Sequence, residues 1–259
     1  AMAYGTATVP KVDKIFGPGN RYVTLAKQLV AGRNTSIDMP AGPSEVMVLA
    51  DESADVRFVA ADMLSQAEHG RDSQAIVVCS SRAIAEAVEA EVERQRGLLA
   101  RAEYVAESLA HSRAIVFDRE EDMIAFAEEY AAEHLIVSMK DAWGVVGKIT
   151  TAGSVFVGNY SPESAGDYAS GTNHTLPTSG WAHSCSGVNI DSFMRKMTIQ
   201  ELYDLYCDIE VDNFREDVDK LYSVYLVYID TGIDPGIEGV FSTKEKARQY
   251  IEESKWSPL

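Results

Sequence analysis

Gln66 and His69 stand three residues apart in Ser65-Gln66-Ala67-Glu68-His69-Gly70. On a helix that spacing puts the two side chains beside each other on one face. An amide oxygen next to an imidazole nitrogen is a pair of metal donors of the kind zinc accepts. A neutral glutamine is a poor zinc ligand, so on this stretch alone the plainer reading is a solvated helix end. Glu133-His134 is a second pair. An adjacent carboxylate and imidazole can supply a general base and a partner that orients or activates water, although a bare dipeptide reads equally as a surface loop. The densest polar stretch runs from Gly166 to Thr178 and holds Asp167, Ser170, Thr172, Asn173 and His174. It has little apolar material to explain it as core, and functional loops are composed this way. His69, His134 and His174 all lie in such polar, glycine-bounded settings, whereas His111 and His183 read as surface residues.

Two further loops carry weaker signals. Phe16-Gly17-Pro18-Gly19-Asn20 precedes a helix, and Asn20 is a good N-cap. A glycine-rich turn at a helix start exposes backbone N–H groups to an anion. Most such turns are only turns. Asp38 to Glu45 is a loop of small residues and prolines that offers the Ser44 hydroxyl to a ligand, with a strand-entry turn as the plainer reading.

These residues need elements to hold them. Apolar positions at helical spacing predict a helix over roughly 53–69 carrying Gln66 and His69, with Gly70 as its stop. A helix is expected over 21–30, with Tyr22, Leu25, Ala26 and Leu29 on one face. Val46 to Ala50 is a continuous apolar run, as expected of a buried parallel strand. Strands are expected at 75–79, 114–117, 135–138 and 154–157, and helices at 82–96, 102–110, 121–130 and 142–149. Strands alternating with helices predict an α/β fold, a Rossmann-like parallel sheet with helices on both faces. In such sheets ligands bind beyond the carboxyl ends of the strands.

The 259 residues suffice for one large or two ordinary domains, and 46% hydrophobic content supports a buried core. A net charge of −17 argues against nucleic acid and anionic membrane as partners. No apolar run is long enough to span a bilayer, and no signal peptide opens the chain. Three cysteines, Cys79, Cys185 and Cys207, without paired spacing fit free thiols in the cytoplasm. The start at Ala1-Met2 reads as a cut chain.

The motifs GPGN, AGPSE, SQAEHG, EHL and GDYASGTNH, taken with their spacing, closely resemble the histidinol dehydrogenase family over about residues 1–200. The resemblance implies a zinc enzyme that oxidises L-histidinol to L-histidine through L-histidinaldehyde, the last steps of histidine biosynthesis, reducing two NAD. It implies zinc ligands at Gln66, His69 and Asp167, and one more histidine from the family's C-terminal segment. It makes Glu133 and His134 the catalytic pair, with His134 taking protons and Glu133 activating the water of the second oxidation. Ser44, Gln66, His69, His134, Asp167 and His174 would meet substrate, and Asn20 would touch NAD. Zinc would hold the substrate's imidazole and amine as a template. Subunits of the family share active sites, so a homodimer is implied. The family also carries an N-terminal part, with other NAD contacts, ahead of the sequence seen here.

The resemblance fades after Met197 to Leu202. Residues 201–259 contain no histidine, so the family's last zinc ligand and a nearby substrate-binding glutamate have no counterpart there. This tail holds 6 of the 12 tyrosines and carries −8 of the charge. An acidic connecting helix is expected over 201–222 and a small ββα module over 223–259. Two other readings stand beside the enzyme: a non-catalytic fragment or scaffold whose tail binds a partner, and a zinc hydrolase using the same His/Asp/Gln cluster.

Overall fold

The structure, a computed structural model, describes residues 1–33, 35–199, 225–229 and 236–241. In chain order come β1 (Lys14–Ile15), α1 (Arg21–Ala31), β2 (Ser36–Ile37), β3 (Glu45–Ala50), α2 (Val56–His69) and β4 (Gln74–Cys79). There follow α3 (Arg82–Arg96), α4 (Ala102–Leu109), β5 (Arg113–Val116), α5 (Glu120–Tyr130), β6 (His134–Ser138) and α6 (Ala142–Val146). β7 (Ser154–Val157) and α7 (Glu163–Tyr168) complete the helix-and-strand alternation. Residues 1–193 form one compact unit and 194–259 another.

Five strands make one parallel sheet in the order β5-β4-β3-β6-β7. The chain winds outward from β3 in one direction and then, from β6, in the other, so the strand order reverses between β3 and β6. Every residue of β3 is buried, as the apolar run predicts. Successive side chains of a strand point to opposite faces. Val46, Val48 and Ala50 therefore pack with Val59, Ala60, Met63 and Leu64 of α2 and Val88 and Val92 of α3. Met47 and Leu49 turn the other way, against Met123, Ile124 and Ala127 of α5 and Val145 of α6. Helices thus cover both faces, as expected.

The boundaries shift locally. α2 begins at Val56 rather than at 53 because Asp55 caps it, accepting the Arg57 N–H at 3.0 Å. The helix expected over 142–149 stops at Val146, and its chain continues through Gly147 as a turn. His134, expected ahead of a strand, is the first residue of β6. The polar stretch 166–178 is not all loop: Gly166 to Tyr168 lie in α7, and Thr175 to Thr178 are buried.

α1 departs in its orientation. Asn20 caps it as expected, its Oδ1 accepting the Tyr22 and Val23 N–H groups. Tyr22, Leu25 and Leu29 are all exposed, however, and the buried residue of the helix is Lys27. Its ammonium donates to the Gly17 carbonyl at 2.6 Å and pairs with the buried Asp38 carboxylate. Beyond residue 199, β8 (Tyr225–Ile229) and β9 (Gly236–Phe241) form an antiparallel pair, close to the two strands expected in the tail. The helix expected over 201–222, the helix of the expected ββα module, and Cys207 lie outside the described residues. Among the described residues no helix is long and apolar enough to cross a membrane.

Candidate active site

The candidate residues gather at the amino ends of β3 and β6, not beyond the carboxyl ends of the strands as expected. β6 starts at His134, which pairs with Val46 of β3 on one side and Ser154 of β7 on the other. Ser44 immediately precedes β3. α2 runs back along the sheet and delivers His69 at its last turn to the same end.

Glu133 and His134 are 4% and 5% exposed, so the surface-loop reading does not hold. The backbone fixes both. Ser154 N–H donates to the Glu133 carbonyl at 2.9 Å, and Gly153 N–H to the Ala132 carbonyl at 2.9 Å. A Cβ at Gly153 would lie 2.6 Å from the Glu133 carbonyl oxygen, so that close approach requires glycine. The Glu133 carboxylate accepts the Glu45 N–H at 2.9 Å through Oε2. His134 Nδ1 lies 3.2 Å from the Glu45 carbonyl and 3.6 Å from Glu133 Oε2. A carbonyl only accepts, so Nδ1 carries a proton, and in the neutral ring Nε2 is the acceptor. That is the tautomer of a base.

Burial pushes the Glu133 carboxyl up to about 8, with the Glu45 and Glu163 charges adding and the Glu45 N–H and Ser44 hydroxyl opposing. It is therefore largely protonated at neutral pH. Burial likewise raises Glu45, against hydrogen bonds from the Ser179 N–H at 2.9 Å and the Tyr130 hydroxyl at 3.2 Å.

The second cluster lies on α2. Asp62, Gln66 and His69 fall at i, i+4 and i+7, along one face. Gln66 is 0% exposed, and among the described residues neither Oε1 nor Nε2 has a hydrogen-bond partner. Leaving a buried polar group unpaired costs about 1–3 kcal/mol. Asp62 Oδ1 accepts the N–H of Glu163, the first residue of α7, at 3.2 Å. Burial above all, then the Glu163 charge, pushes Asp62 up to about 6, against that hydrogen bond. α7 also lies close to β7, where a Cβ on Gly166 would stand 3.0 Å from the Phe156 ring.

Glu163 did not stand out in the sequence. It is 1% exposed, and its Oε1 is 3.6 Å from His69 Nε2. Burial pushes its carboxyl up, but His69, His134 and the Ser65 hydroxyl together outweigh burial and hold it below the usual range. Glu163 thereby links the two clusters electrostatically. Its sequence signal was its place one helical turn before Asp167. Asp167 lies within α7, but its side chain is outside the described atoms.

The remaining candidates are exposed. His174 is exposed in the loop after α7, and His111 and His183 are exposed, as expected. Asn20 is exposed in a turn that packs on the Ser44 loop: Gly19 N–H and the Thr24 hydroxyl both donate to the Ala41 carbonyl, at 3.4 and 2.7 Å. Gly42, with φ at +102°, abuts this turn, and a Cβ there would collide with the Gly19 carbonyl oxygen. An open groove of about 600 Å³, lined in part by Ser154, Gly171, Thr172 and Asn173, flanks β7.

Among the described residues no three His, Cys, Asp or Glu side chains form a metal-holding group. The fit to zinc rests instead on the unpaired amide of the buried Gln66, a weak ligand, one helical turn from the His69 imidazole, a donor zinc accepts. For a dinucleotide, Asn20 offers little. Its Oδ1 is spent on the helix cap, which leaves its amide N–H groups as one point of contact.

A parallel α/β domain holds a buried imidazole–carboxylate pair, and on α2 a buried amide without a hydrogen-bond partner among the described residues. Residues 1–214 match the family model for histidinol dehydrogenase. A histidinol dehydrogenase of Bacteroides fragilis (strain YCH46) is 61% identical over 202 residues, 78% of this chain and 47% of the relative. One from Haemophilus influenzae (strain 86-028NP) is 54% identical over the same shares. A crystal structure of histidinol dehydrogenase from Elizabethkingia anophelis superposes with a TM-score of 0.70 at 55% identity, covering 74% of this chain and 44% of that one. The chain belongs to the histidinol dehydrogenase family, and it spans about half the length of the curated relatives it matches.

Proposed function

We propose that this chain carries the proton-transfer and cation-holding part of a zinc-containing, NAD-dependent oxidation of L-histidinol to L-histidine through L-histidinaldehyde. The observation that carries this reading is the buried Glu133–His134 pair, with Nδ1 anchored on the Glu45 carbonyl. In the first oxidation His134 Nε2 would accept the hydroxyl proton, and NAD⁺, when bound, would supply the acceptor for the hydride of the carbinol carbon. In the second, water adds to the aldehyde and a second hydride leaves the hydrate, so two NAD⁺ and one water are consumed and the acid forms. Glu133 is the base for that water. With its carboxyl at about 8, it reaches its basic form just above neutral pH.

Gln66, His69 and Asp167 would hold zinc, which when bound supplies a template for the substrate's imidazole and amine. A weak amide ligand suits that role. Ser44, Gln66, His69, His134, Asp167 and His174 are proposed substrate contacts, and Asn20 an NAD contact. We read the site as completed across a homodimer, in the cytoplasm, with 201–222 as connector and 223–259 as a separate module. The test is zinc-dependent NADH formation from L-histidinol, together with calorimetric binding of zinc and L-histidinol. Turnover that is lost in His134→Ala is expected. A folded chain that bound neither zinc nor L-histidinol would overturn the reading.

A further inference from the structure

Glu163 has no part in the steps above, yet its surroundings call for an occupant. Its position is fixed from two sides: its N–H is held by Asp62 Oδ1 at 3.2 Å, and Oε1 faces His69 Nε2 at 3.6 Å. The side chain is 1% exposed; the His69 imidazole and the Ser65 hydroxyl stand close to it, but among the described residues neither carboxylate oxygen completes a hydrogen bond. On the adjoining helix Gln66 is equally buried and equally unsatisfied. Buried carboxylates are ordinarily paired or coordinate a cation, because removing an unpaired charge from water is costly. Two such groups on adjoining helices, with His69 reaching the carboxylate only at 3.6 Å, point to a positive charge as the missing component. The spacing suits a metal: donors 3.6 Å apart, each about 2.0–2.2 Å from one zinc ion, subtend about 110–130° at it.

We propose that Glu163 seats the positive charge loaded into this pocket, pairing with a cation beside Gln66 and His69. The proposal rests on the function given above. That reaction brings two cations, the zinc ion and the ammonium of the amino alcohol, and the same carboxylate chemistry serves either. Glu163→Gln keeps the shape and removes the charge, while Glu163→Asp keeps the charge with a shorter reach.

Zinc affinity is read by competition with a chromogenic chelator on the parent chain and both variants. L-histidinol and its analogue lacking the amine are then titrated calorimetrically into the zinc-loaded proteins. Zinc binding at least tenfold weaker in E163Q, partly recovered in E163D, assigns Glu163 to the metal. Unchanged zinc affinity, with L-histidinol at least tenfold weaker and the deaminated analogue unaffected, assigns it to the ammonium. E163Q binding both within twofold of the parent overturns the proposal. The metal-free Tm gives an arm independent of any ligand. Removing a buried charge that faces only an imidazole at 3.6 Å is expected to raise it by about 2–4 °C, whereas a merely structural Glu163 would lower it and overturn the proposal. If the parent binds neither zinc nor L-histidinol, the proposed function fails, and the direction of that Tm shift alone decides Glu163.

Discussion

Glu133 is a buried acid whose proton is retained by folding. Its folded pKa of about 8 lies above the ordinary carboxylate value, so between about 4.5 and 8 the native state binds more protons than the unfolded chain. The resulting stability is complete below the ordinary value and is lost as pH rises through 8. Urea unfolding across that window is expected to show stability falling with pH in the parent chain, and a flatter profile in Glu133→Gln. The same substitution is expected to remove a rise in NADH formation approaching pH 8. An unchanged pH–rate profile would move the water-activating role elsewhere. His134→Ala is expected to affect the fold as well as turnover, because the ring is buried and bonded to the Glu45 carbonyl. A loss of about 1–3 kcal/mol by denaturant titration is the expected size. The types and neighbours of Gln66, His69, Glu133 and His134 were legible in the sequence. Their burial was not, because a two-residue polar motif carries no periodicity of its own. Glu163 did not stand out for a related reason: its setting comes from α2 lying near α7, a contact between residues about a hundred positions apart.

The elements were more legible than the site. A run such as Val46 to Ala50 is apolar on both faces only where helices cover both, and the alternation of strands and helices supplies them. Leu49→Ala would open a cavity on the α5–α6 face, and a loss of about 2–5 kcal/mol is expected in chemical denaturation. What periodicity does not encode is the end of the sheet at which the polar residues collect. The general preference for carboxyl ends failed because β6 begins on His134 itself and α2 ends on His69. The loop contacts are equally non-local. Gly42→Ala would need a left-handed backbone with a side chain and would push against the Gly19 carbonyl. A loss of more than about 1 kcal/mol, read as a lower Tm, is expected from that strain alone.

At the scale of the whole molecule, the unit of residues 1–193 owns the sheet, both core clusters and every described candidate residue. The family model reaches residue 214, somewhat past the point where the motifs fade to the eye. Profile similarity accumulates over many weakly constrained positions, whereas motif reading needs several distinctive residues together. α1 stands out on this unit because its attachment is polar: Lys27 to Gly17 and Asp38, and Thr24 to Ala41, with its apolar side chains turned to water. Heat capacity and denaturant sensitivity both follow the apolar surface exposed on opening. Detaching α1 exposes little new apolar surface. In native-state hydrogen exchange its amides are therefore expected to open in a step with a small m-value and a weak temperature dependence, below the global transition. The polar tether is thus expected to let this helix open as a thermodynamic unit of its own, ahead of the five-stranded sheet.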